Sequence, residues 1–165
     1  MRLFVSLRPP VEARDHLARA VAGLRTTRAE QWHVTLAFLG EVPDAEPLRP
    51  GLAAAAASSS PLVLRLRGGG FFRAPGVLFA GLAGDVDGVR ALAADVGAAC
   101  REVGLVLEER PFRPHLTVAR RLPADPGTLA PYEGPAWTAG ELELVRSRTG
   151  PRVEHEVLET WPLGG

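Results

Sequence analysis

His33-Val34-Thr35-Leu36 and His115-Leu116-Thr117-Val118 are two copies of one pattern: histidine, apolar, threonine, apolar. In an extended strand alternate side chains point to opposite faces, so each His shares a face with its Thr and the apolar pair faces the other way. Two such strands meeting at one cleft would offer two imidazoles and two hydroxyls. That is an acid, a base and two neutral donors for a developing oxyanion, which suits phosphoryl chemistry without a metal. Four His and eight Thr in 165 residues give about 0.2 His-x-Thr pairs by chance, and the chain has two. The plainer alternative is a pair of amphipathic strands whose His and Thr are ordinary, locally satisfied polar residues.

The elements that must position these motifs follow from periodicity. Leu3 to Leu7 is a β-rich run closed by Pro9-Pro10 and reads as a strand. From Val11, residues Leu17, Val21 and Leu24 fall at helical spacing, with Gly23 near the end. Trp32 to Leu39 is the first motif strand, ended by Gly40. Leu48, Leu52 and the run Ala53 to Ala57 predict a second helix, stopping at Ser58-Ser59-Ser60. Leu62 to Leu66 reads as a strand. The following Gly68-Gly69-Gly70 reads as a bulge or turn that sets Phe71-Phe72 in place, since no lysine-bearing phosphate loop accompanies it. Val77 to Leu82 predicts a strand. Asp87 to Val103 predicts a long helix with Val89, Leu92, Val96 and Val103 on one side. Leu105 to Glu109 reads as a short strand or loop, and the second motif strand runs from His115 to about Arg120. Pro123 to Pro135 reads as a loop, and final strands are expected over Thr138 to Arg146 and Val153 to Thr160.

The resulting order predicts an α+β fold of two lobes. Each lobe is a small antiparallel sheet with a helix on its back, and a rough two-fold relates them across a central cleft carrying one motif from each. Residues 1–165 read as a single bilobal domain.

Nineteen basic residues, all arginine, balance nineteen acidic ones. A neutral chain does not coat long nucleic acid by bulk electrostatics, although it can grip one phosphate or a chain end. The single cysteine, Cys100, excludes an internal disulfide. It lies beside Ala98 and Ala99 in a helical pattern and reads as a small buried hydrophobe without an activating base. No apolar run reaches the roughly 18 residues of a membrane span, and Met1 to Val5 shows no secretory leader, so a cytoplasmic protein with no membrane contact is expected. His16, between Asp15 and Leu17, is expected at the surface. His155 alternates with Val153 and Val157 and has no second ligand at metal spacing. Neither motif has carboxylates clustered beside it, so neither metal nor cofactor is expected.

The residues around the motifs resemble the 2H phosphoesterases, and among them the RNA 2′,3′-cyclic phosphodiesterase branch, also called the 2′-5′ RNA ligase or LigT-like family. The matching segments occur in the family's order. They are Arg2 to Leu7, His33 to Gly40, Gly70-Phe71-Phe72, Pro111 to Arg120 and Leu144 to Ser147. The resemblance implies the bilobal 2H fold. It also implies metal-free hydrolysis of an RNA terminal 2′,3′-cyclic phosphate to a 2′-phosphomonoester, with RNA ends or cyclic nucleotides as partners and no DNA. By the same resemblance His33 and His115 are the catalytic pair, with His115 as base on water and His33 as acid to the 3′-oxygen. Thr35 and Thr117 then bind the phosphate, and Arg120 supports the substrate end. The chain departs from the family at His155, where the tail often carries Tyr.

Phe38, Phe71 and Phe72 are the candidate stacking surfaces for a base. Phe38 alternates with Leu36 and is expected in the core. Phe72, beside the glycine bend, is the candidate base contact. Three other readings keep part of this picture: joining or cleavage of 2′-5′ phosphodiesters at the same site, a noncatalytic RNA-end-binding module, and a metal-dependent hydrolase. The presence of all four motif residues speaks against the second, and the lack of clustered Asp and Glu against the third. A monomer reading only the terminal one or two nucleotides is expected.

Overall fold

The computed structural model describes residues 1–164. In chain order the elements are β1 (Arg2–Leu7), α1 (Val11–Ala20), β2 (Val34–Glu41), α2 (Arg49–Ser58), β3 (Leu62–Phe72), β4 (Val77–Gly84), α3 (Val86–Glu102), β5 (His115–Ala119), β6 (Glu133–Ala139), β7 (Glu141–Arg148) and β8 (Glu154–Pro162). Short 3₁₀ turns over Ala29–Gln31 and Glu46–Leu48 precede β2 and α2. Among the described residues no helix is long and apolar enough to cross a membrane.

The strands form two antiparallel half-sheets, β6-β3-β4-β5 and β2-β1-β7-β8, that meet where β5 lies beside β2. The two expected sheets are thus joined edge to edge along a narrow seam. Each half-sheet is apolar on its back. Behind β2-β1-β7-β8, Leu3, Val5, Leu7 and Leu144 pack against Leu52 and Ala56 of α2 and Val89, Leu92 and Val96 of α3. Behind the other half, Leu66, Leu78, Leu116 and Val118 pack with Leu17 of α1, Val21 and Tyr132. The helices are therefore exchanged. Helix α1 leaves β1 to back the half-sheet of β5, and α3 leaves β4 to back that of β2. Cys100 of α3 is buried in the first core, where desolvation raises its thiol pKa to about 11. This matches the inert reading.

Four local expectations change. The segment read as a loop up to Pro135 already enters β6 at Glu133, and one expected strand is two, parted by Gly140. Leu105 to Glu109 takes the loop alternative of its two expected forms. His16 is half-buried, with Nδ1 2.8 Å from the Tyr132 hydroxyl, because α1 lies flat on the half-sheet. Phe38 is 67% exposed. Against β1, strand β2 skips Leu36 between the pairs Ser6↔Thr35 and Val5↔Ala37, and skips Leu39 between Phe4↔Phe38 and Leu3↔Gly40. Each extra residue reverses the in–out alternation, so Leu36 and Leu39 both turn inward and Phe38 turns out, on the face it shares with Phe4.

The triple glycine lies inside β3 and forms the expected bulge, where the register against β4 shifts between Leu66 and Gly69. Gly68 takes a left-handed φ of +63°, which glycine adopts at no steric cost. A Cβ at Gly70 would fall 2.7 Å from the Phe79 ring. The missing side chain is what lets that ring lie over β3.

Candidate active site

Val34 of β2 pairs with Leu116 of β5, and both are fully buried. This register pair is the centre of both motifs. Antiparallel pairing there runs His33 alongside Thr117 and Thr35 alongside His115. With Val34 and Leu116 facing inward, the four polar side chains share the outer face of the seam. The pseudo-two-fold passes through the midpoint of this pair.

Both imidazoles are held by the same device. His33 donates from Nδ1 to the Gln31 carbonyl at 2.6 Å, and His115 donates from Nδ1 to the Arg113 carbonyl at 2.6 Å. A carbonyl can only accept, so Nδ1 keeps its proton and Nε2 is the nitrogen left to gain or lose one. The strand next to each motif supplies a ring to steady it. Phe4 of β1 stacks on His33 with centroids 4.5 Å apart and planes at 22°. Phe79 of β4 meets His115 edge-on at 5.5 Å, and Phe72, itself stacked on Phe79, lies 5.9 Å away. Thr35 and Thr117 are half-buried on their strands, and Arg120 is exposed just beyond β5. The structure thus brings together His33, His115, Thr35, Thr117 and Phe72, with Arg120 at the rim.

The two histidines differ in setting. Burial lowers the His33 pKa to about 4, with the charges of His155, Arg120 and Arg8 opposing protonation further and the Gln31 carbonyl partly offsetting them. At neutral pH the free protein holds His33 neutral. An unfolded histidine titrates near 6.5. Between that value and about 4, the unfolded chain binds a proton that the folded chain refuses. Stability that is full above pH 6.5 therefore declines as pH falls toward 4, by about 3 kcal/mol from this residue. Urea unfolding at pH 7 and pH 4.5 should show the wild type losing about 2 kcal/mol more than His33→Gln does. Equal losses would mean that His33 is not buried as a neutral ring.

No sequence spacing places His155 here. Its ring meets His33 edge-on at 5.4 Å and Phe4 at 5.1 Å, and burial lowers its pKa as well. It arrives through register, since Ser147↔His155 on β7–β8 sits beside Arg2↔Ser147 on β1–β7. Phe4 and Phe79 were missed for the same reason. Next to His33 a cavity of about 270 Å³ opens, lined by Phe4, Ser6, Arg8, Glu143, His155 and Val157 among others. Among the described residues no three His, Cys, Asp or Glu side chains converge as a metal-holding group.

Two half-sheets meeting at paired His-x-Thr strands, each His tied back by Nδ1, define a two-histidine phosphoesterase of the 2H type. The family model described as the 2′-5′ RNA ligase superfamily matches residues 4–151, and the chain belongs to that family. It is 34% identical to an RNA 2′,3′-cyclic phosphodiesterase of Thermus thermophilus, over 100% of this chain and 91% of that protein. It is 35% identical to one of Geobacillus stearothermophilus over 82% of this chain, but spans only 46% of that longer relative. The crystal structure of TT0787 of Thermus thermophilus superposes with a TM-score of 0.85 at 32% identity, covering 100% of this chain and 99% of that one.

Proposed function

We propose that the protein hydrolyses terminal 2′,3′-cyclic phosphates of RNA to 2′-phosphomonoesters, a reading whose substrate class is supported by relatives named RNA 2′,3′-cyclic phosphodiesterase. The observation that carries this reading is the matched pair of Nδ1-anchored histidines on either side of one seam. Hydrolysis needs one proton taken from water and one given to the departing 3′-oxygen, and two free Nε2 atoms supply both transfers. His115 Nε2 takes the water proton as hydroxide attacks phosphorus. The bond from phosphorus to the 3′-oxygen breaks, and His33 Nε2 protonates that oxygen. His33 is neutral in the empty cleft, so it must be charged as substrate arrives. The negative phosphate beside it favours that protonation. The Thr35 and Thr117 hydroxyls donate to the non-bridging oxygens, Arg120 adds positive charge at the substrate end, and Phe72 offers a face beside His115.

Every group in this scheme comes from one chain, which supports a monomer acting as one bilobal domain over 1–165. The reaction depends on a ribose 2′-oxygen, so RNA ends and cyclic ribonucleotides are substrates and DNA is not. An RNA oligonucleotide ending in a 2′,3′-cyclic phosphate, incubated with protein in excess EDTA, should give a 2′-phosphate end. A 3′-phosphate product would reverse the leaving oxygen, and activity restored only by added divalent ions would overturn the metal-free scheme. Joining 2′-5′ ends at the same centre would show instead as longer product.

A further inference from the structure

The cavity beside His33 contains polar groups that the hydrolysis scheme does not use. Ser6 of β1 is fully buried, lines this cavity, and its Oγ has no hydrogen-bond partner in the protein. Directly across the β1–β7 register is Glu143, 6% exposed. One of its oxygens, Oε1, accepts from the Arg8 guanidinium at 3.0 Å. A buried hydroxyl without a partner costs stability unless a ligand satisfies it. Ser6 Oγ and the second carboxylate oxygen of Glu143, on register-paired residues, are thus the acceptors left for a ligand at this wall of the cavity, and the exposed part of Arg8 has N–H groups to spare beside them.

The charges around the cavity decide which part of a nucleotide belongs in it. Glu30, Glu143 and Glu154 face it with only Arg8 and Arg28 as cations, and Arg8 is already paired with Glu143. An excess of carboxylates repels a second phosphate and attracts N–H donors. At about 270 Å³ the space is slightly below the usual small-ligand range of about 300–1,000 Å³, enough for one base and not for a further nucleotide. Among the four bases, guanine alone presents two neighbouring donors, N1–H and the N2 amino group, next to an acceptor, O6. Adenine and cytosine place a ring acceptor beside their single amino group, and uracil flanks its one N–H with two carbonyls.

We propose that this cavity is a base-reading subsite selecting guanosine at the cyclic-phosphate end, with Glu143 and Ser6 accepting from N1–H and the N2 amino group and Arg8 donating to O6. The inference rests on the hydrolytic reading above and adds a specificity to it. A site built to bond a particular edge rejects bases that leave its buried groups unpaired.

The test compares kcat/KM for the 2′,3′-cyclic monophosphates of guanosine, adenosine, cytidine and uridine. Guanosine should be preferred by roughly tenfold or more. Glu143→Gln keeps the volume but replaces one acceptor with a donor, and it should bring the preference below about threefold, mainly through KM. Ser6→Ala should melt no lower than the wild type, because it deletes an unpartnered buried hydroxyl, yet it should weaken the guanosine preference. Equal rates for all four bases, or full preference retained in Ser6→Ala, would overturn the subsite while leaving the hydrolytic reading intact. Failure to hydrolyse any of the four would instead count against the hydrolytic reading itself.

Discussion

Replacing either His33 or His115 with alanine should lower kcat for cyclic-phosphate hydrolysis by about 10²- to 10⁴-fold, the usual contribution of a positioned acid or base. The two are not interchangeable. Each is tied by Nδ1 to a carbonyl two residues back on its own side of the seam, so neither Nε2 can move across to serve both protons. The losses should not add. With one transfer removed the other has nothing to complete, and the double variant should be little worse than either single one. Single-turnover rates with a cyclic mononucleotide measure this directly. A single variant retaining more than about half the wild-type rate would end the two-histidine mechanism.

Thr35→Val and Thr117→Val should each cost about 10²- to 10³-fold in kcat, the loss typical of one oxyanion donor. Valine matches threonine in shape and β-propensity, and both positions are half-buried on the outer face, so melting temperature should stay close to wild type. The pseudo-two-fold makes a further demand. Each Thr lies alongside the histidine of the other motif, so the two variants should be impaired to a similar degree. A variant that melts early but keeps full activity per folded molecule would make its threonine a structural residue.

The strands and helices nearest the motifs could be read in the sequence because they obey one period each. Val89, Leu92 and Val96 mark the buried side of α3 as expected, while Val103 falls just past the helix end and is exposed, and the His-x-Thr alternation puts four polar groups on one face. What could not be read depends on register. Period two carried through β2 places Phe38 in the core, but two bulges interrupt the strand and turn it outward. His155, Phe4, Ser6 and Glu143 reach the site only because β1, β7 and β8 align as they do, and no local spacing encodes that alignment. The Pro- and Gly-rich stretch before Pro135 hid the start of β6, whose first residues, Glu133 to Pro135, include two that are poor strand formers.

The exchange of α1 and α3 between the half-sheets bears on how the chain folds. Once β1, α1, β2 and α2 have been made, the back of β1 and β2 still lacks α3, and α1 has no half-sheet to lie on until β3 to β6 exist. Neither half can bury its apolar face early, so most stabilising contacts join residues far apart in sequence. Chains of that kind fold slowly and open as a unit, without a sturdy half that outlasts the other. Amide hydrogens of β1 and β4 should then exchange with solvent at one common, global rate, and neither His-x-Thr motif can come apart while the opposite half stays folded.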